Sequence, residues 1–182
     1  MAYLFTFSVY DIGHMTMETS RGGSACLAAW ATMKFFGVSG YQCLMAHLIN
    51  LHQELRKAIA PYKNWIVVNS PNYGLVTLFR MYKPGVDAAK QWTLEQETAT
   101  PESIMETNKY QHSIAHLLFS LRLNESSPAM NFTSGFRSNK NGAAFSALKV
   151  FSMSPFAEPE NMQKVVIETL LKVEKMVNKE QP

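Results

Sequence analysis

The sequence predicts a chain of mixed α/β class, an α+β domain with an arm in front of it, and three observations carry that expectation. Two pairs of β-rich runs are each joined by a short turn signal. Apolar residues recur at helical spacing before, between and after those pairs. The first 37 residues fit no pattern that would join them to a sheet. With 182 residues, 47% of them hydrophobic and 17% charged, the chain can bury one compact core and carry an attached arm. Its 17 basic and 14 acidic residues are scattered, so no basic stripe for nucleic acid stands out.

The elements follow in order. Met1 to Tyr10 is apolar and rich in β-formers, which predicts a strand or extended arm. It lacks a basic leader and is too short to span a bilayer, so it reads as neither signal peptide nor anchor. A chain that opens inside such a run looks as if it starts in mid-fold. Residues 11–23 are loop. Ser24 to Phe36 predicts an alanine-rich helix stopped by Gly37, with small residues on nearly every face, as close packing requires. A second helix is expected from Gly40 to Ala60, with Tyr41, Leu44, Met45, Leu48, Leu55 and Ile59 on one stripe and Pro61 as its end. Trp65–Val68 and Gly74–Met81 predict a hairpin about the Ser70–Tyr73 turn.

Residues 83–99 read as polar connection. Thr100 before Pro101 and Glu102 is a helix-start signal, and the helix is expected to reach Leu123. Met130–Phe136 and Ala143–Phe151 predict a second hairpin closed by Asn139–Gly142. A last helix from Pro159 carries Met162, Val165, Val166, Leu170, Val173 and Val177 on one stripe. Residues 62–178 thus make a self-consistent domain, with helices expected on one face of a mostly antiparallel sheet.

Few residue constellations carry chemistry. His112 and His116 share a helix face at i, i+4, but Ser113 stands where a zinc protease has its glutamate, so no metal site is expected. Cys26 and Cys43 lack metal-ligand spacing and read as two buried, reduced thiols of a cytoplasmic chain. The sequons at Asn124 and Asn131 come with no secretory signal, and the 11 methionines are spread as packing residues. No nucleophile elbow, P-loop or paired-carboxylate motif is present. The loop Glu18-Thr19-Ser20-Arg21-Gly22-Gly23-Ser24 is more informative. Hydroxyls, an arginine and glycines just before a helix suit a phosphate or carboxylate, although a capped helix start would use the same residues.

The stretch from Met17 to Tyr41 resembles the segment after the cofactor lysine in the pyridoxal-phosphate-dependent decarboxylases of the glutamate and aromatic amino acid type. There a T-S-R-(S/G)-G loop leads into an alanine-rich helix ending in L-G-x-x-G-Y. Phe79-Arg80 resembles the family's small-domain strand. Ala147 to Phe151 followed by Pro159-Glu160 resembles its last strand and helix. The resemblance implies a fold-type I arrangement. Residues 1–37 would be the end of the large cofactor domain, 38–61 the connecting helix, and 62–182 the small α+β domain.

The resemblance also implies a function: removal of an amino acid's carboxylate with pyridoxal phosphate as electron sink, in a homodimer. Ser20 matches the serine that reaches the phosphate held by the neighbouring subunit, and Arg21 and Gly22 complete that loop. Lys149 falls where many members carry the arginine that holds the substrate carboxylate, and lysine lacks that two-pronged geometry. The family binds its cofactor on a lysine in an S-x-H-K type sequence. No His-Lys pair occurs among these residues. No catalytic residue is therefore expected here, the chain by itself is expected to be inactive, and the missing large-domain half is its expected partner. A non-catalytic α+β binding or regulatory module, or a remnant of the same family, is the alternative.

Overall fold

The computed structural model describes residues 24–72, 74–124 and 130–180. The expected N-terminal arm and the loop through Gly23 lie outside them, as does Tyr73 of the first turn. The chain divides into two compact units, Met1–Tyr41 and Gln42–Pro182. Helix α1, Ser24–Ile59, has one residue with non-helical torsions, Gly37 at φ 59° and ψ −173°. Only glycine adopts such a φ without strain, so the expected helix stop is a break in helical geometry. In the first unit Gly40 lets Phe36 approach closely: a Cβ there would lie 2.9 Å from that of Phe36. Leu27, Trp30, Met33 and Phe35 are exposed.

The second unit holds β1 (Trp65–Val67), β2 (Val76–Met81), α2 (Ala88–Thr98), α3 (Met105–Asn124), β3 (Met130–Ser138), β4 (Ala144–Phe151) and α4 (Pro159–Glu180). Both expected hairpins form. The strands make one antiparallel sheet in the order β1-β2-β4-β3. Strand alternation sends Trp65, Phe79, Met81, Leu148, Val150 and Met130 to one face. There they pack with Leu55 and Ile59 of α1, Tyr110, Ile114 and Leu118 of α3, and Val166, Leu170, Val173 and Val177 of α4. Val165 falls off the expected stripe and is exposed.

Two corrections concern residues 83–104. The polar connection contains helix α2, capped by Asp87, which accepts from the Lys90 backbone at 3.2 Å. Its buried stripe is Ala88, Trp92 and Glu95. A charge in the third place and an exposed Leu94 beside it erase the apolar period. Trp92 and Ala99 pack with Phe145 on the second sheet face, so helices cover both faces and not one. Thr100 does act as a cap, with Ser103 N donating to its hydroxyl at 3.2 Å. It closes only a single turn, and α3 begins at Met105.

The centre of the sheet is held by side chains. β2 and β4 pair from Val76↔Phe151 to Phe79↔Leu148 and no further. Beyond that point the amides of two α3 residues one turn apart take over. Gln111 accepts from Met81 N at 3.0 Å and donates to Met81 O. Asn108 accepts from Ser146 N at 3.0 Å and donates to Ala144 O at 2.8 Å. At the opposite end His52 of α1 is 2% exposed. Its Nδ1 lies 3.2 Å from the Thr77 hydroxyl, and its Nε2 has no hydrogen-bond partner among the described residues.

Two outcomes follow. Gln111→Ala leaves both polar groups of Met81 buried and unpaired, so urea denaturation should show a loss of about 2–4 kcal/mol. Burial, with Arg56 adding to it, holds the His52 imidazole below its ordinary pKa. The unfolded chain then binds the proton more readily, so this contribution is intact above about pH 6.5 and is lost as pH falls below it. Urea midpoints should drop between about pH 7.5 and pH 5.5, and His52→Gln should reduce that drop.

Candidate functional site

Among the described residues the second sheet face is covered by α2 at one end and left open at the other. Lys149 stands in the open part. Its strand β4 runs between β2 and β3, with Leu78 as its register partner on one side and Asn131 on the other. The lysine is half-buried, and its Nζ lies 5.1 Å from the centre of the Phe151 ring. Among the described residues no carboxylate comes within ion-pair distance of it. Ser20, Arg21 and Gly22, the expected phosphate loop, lie outside the described residues.

The covered end holds a second cation in the opposite condition. Arg80 has no exposed surface. Its Nη2 meets Glu95 Oε2 at 3.0 Å, its Nε donates to the Tyr82 hydroxyl at 3.2 Å, and its Nη1 donates to Ser146 O at 2.6 Å. Tyr82 donates to the same Glu95 oxygen at 2.9 Å, and Gln91 donates to the other at 3.1 Å. The guanidinium also lies 5.4 Å from the Trp92 ring and 5.6 Å from that of Phe145. Burial raises the Tyr82 phenol well above its ordinary pKa; Arg80 opposes that shift and Glu95 adds to it. Arg80, Tyr82 and Glu95 are all buried and hydrogen-bonded, so the network positions the face and is not set up to react. The sequence marked Arg80 only as part of a strand, although an arginine inside an apolar strand run is itself a sign of a buried partner.

Other clusters offer less. His112 and His116 are exposed on α3. His112 meets the Phe132 ring edge-on at 5.6 Å, beside a shallow groove of about 410 Å³. A hollow of about 220 Å³ is lined by Tyr82, Lys83, Gln91, Glu106 and Tyr110, and Lys83 is engaged there by Glu106 at 2.9 Å. No group of three or more His, Cys, Asp or Glu suited to a metal occurs among the described residues. Cys26 and Cys43 are free but exposed, where burial was expected. Apolar neighbours on one side of a helix did not imply a covering layer for either thiol. No helix among the described residues is long and apolar enough to cross a membrane. The described residues do not by themselves make a pyridoxal phosphate site: Lys83 of the smaller hollow is engaged by Glu106, and Lys109 lies in the wide, shallow groove.

Residues 1–82 match the model of the pyridoxal-dependent decarboxylase conserved domain. Among solved structures, mouse CSAD in its apo form matches with a TM-score of 0.56 and 13% identity, over 80% of this chain and 27% of that one. Tryptophan decarboxylase of Catharanthus roseus, in complex with L-tryptophan, matches with a TM-score of 0.49 and 11% identity, over 84% and 26%. The first likeness shows the fold, that of a part of a fold-type I enzyme, as expected; the second is too slight to carry an argument. The chain spans about a quarter of the length of these solved chains. No curated protein matches it.

Glu95→Gln keeps the shape of the buried network and removes its only anion. Arg80 is then an uncompensated buried charge, and chemical denaturation should show a loss of about 3–5 kcal/mol. Unchanged stability would mean that the rings and the Ser146 carbonyl suffice for Arg80.

Proposed function

We propose, from the premise that this chain belongs to the pyridoxal-dependent decarboxylase family, that it is the C-terminal portion of an amino acid decarboxylase. In this reading residues 1–37 close the large domain, 38–61 connect, and 62–182 are the small domain. Ser20, Arg21 and Gly22 take the phosphate of pyridoxal phosphate held by a neighbouring subunit, which makes the working enzyme a dimer. Lys149 takes the carboxylate of an amino acid substrate. The complete enzyme, a cytoplasmic carboxy-lyase of amino acid metabolism, carries its cofactor lysine on a segment that these residues do not contain.

The observation that carries the reading is the family match over residues 1–82, which takes in the Thr19-Ser20-Arg21-Gly22 loop. The place of Lys149 supports it. A half-buried ammonium with no carboxylate of the described residues within ion-pair distance, on a part of the sheet face that α2 does not cover, suits an anion from outside.

The isolated chain is the test. Incubated with pyridoxal phosphate, reduced with borohydride and mapped by mass spectrometry, it should show no stoichiometric label at any one lysine. It should release no carbon dioxide from amino acids. A label at one lysine, lost with that lysine, would overturn the view that the cofactor lysine lies elsewhere. Mixed with a large-domain half that supplies the Ser-x-His-Lys segment, it should gain activity, and Ser20→Ala should then weaken cofactor retention by about 1–2 kcal/mol. Failure of every such half to gain activity would favour a non-catalytic module, which the self-contained core of the second unit also permits.

A further inference from the structure

Lysine differs from arginine in one respect that matters at position 149. A guanidinium grips a carboxylate with two parallel N–H donors, whereas an ammonium is a single point charge. A site built on lysine alone would hold a carboxylate without fixing its orientation. The strand register supplies what the lysine lacks. Asn131 of β3 is the direct cross-strand partner of Lys149, and such partners have their Cβ atoms roughly 4.5–5.5 Å apart on the same face. Asn131 is exposed, and among the described residues its carboxamide has no hydrogen-bond partner. On the other flank Leu78 offers no polar group, and along the strand Phe151 presents a ring that is 39% exposed.

We infer that Lys149 and Asn131 together form a two-donor site for one small carboxylate, the ammonium giving charge and the carboxamide N–H giving direction. Asn131 is in this sense a specificity residue, and the pair does in two side chains what one arginine does in one. The shelf of Leu78 and Phe151 takes the apolar side of the same ligand. Among the described residues the ammonium gives up only its contact with the Phe151 ring, a weak interaction where water has access. The inference rests on the reading of Lys149 as a carboxylate contact and adds to it the second donor and the ligand's orientation.

Acetate is the probe. The full chain, labelled with ¹⁵N, is titrated with sodium acetate against sodium chloride at constant ionic strength, and NMR follows the Asn131 side-chain amide where it is present and, in every variant, the backbone amides of residues 131 and 149. A saturable shift of these amides is expected with acetate and not with chloride. Asn131→Ala should raise the dissociation constant by about tenfold or more, the effect of one hydrogen bond to a charged group. Lys149→Met should abolish binding. Lys149→Arg placed on Asn131→Ala should restore affinity to within about twofold, because the fork supplies both donors again. Circular dichroism of each variant checks that the sheet is intact. If Lys149→Met abolishes binding and Asn131→Ala changes nothing, the pair is overturned and the lysine reading stands. If neither substitution matters, or acetate does not saturate, both fall, while family membership, which rests on residues 1–82, is unaffected.

Discussion

The sheet of the second unit depends on a handover of hydrogen bonds from strand to helix. β2 and β4 are neighbours, yet their ladder stops at Phe79↔Leu148, and the backbone beyond is buried. Buried backbone groups must be paired. Asn108 and Gln111, spaced to lie on one helix face, bond the two separated strands and serve as a short substitute strand. The same two residues fix where α3 sits, and α3 in turn carries Tyr110, Ile114 and Leu118 into the main core. The gap between the strands admits the guanidinium of Arg80, which bonds Ser146 O there.

One sheet face thus carries two cations with different surroundings. Arg80 is enclosed by α2, paired with Glu95 and ringed by aromatic groups. Burial without those partners would be strongly unfavourable. Lys149 is in the part that α2 does not reach, and it retains access to water. The length of one short helix therefore separates a structural charge from a charge that can meet a ligand. Asp87, as the cap that starts α2, sets one limit of that cover.

Sequence reasoning succeeded where a single local rule decides the outcome. Both hairpins were visible because β-rich runs flank turn residues, and the break at Gly37 was visible because glycine tolerates positive φ. It failed where burial and polarity part company. α2 was invisible because its inner stripe includes Glu95, whose partner Arg80 is remote in sequence. The role of Thr100 was read correctly and its extent wrongly, since a cap says where a turn starts and not how far the helix runs. The exposure of Cys26 and Cys43 could not be read at all, because it depends on what covers a helix. Lys149 was marked by family likeness alone; that it faces Asn131 is a matter of register, which only the paired strands display.

Among the described residues the sheet ends on β3, nine residues long, with no strand on its outer edge. Such an edge is an open template on which a strand of another molecule can add. Here the register shifts between Thr133 and Arg137, so the outward row of amides and carbonyls is interrupted midway, and Arg137 brings a positive charge to the far segment. A foreign strand could follow the edge for only a few residues before losing step. The irregularity thus limits strand addition along this edge.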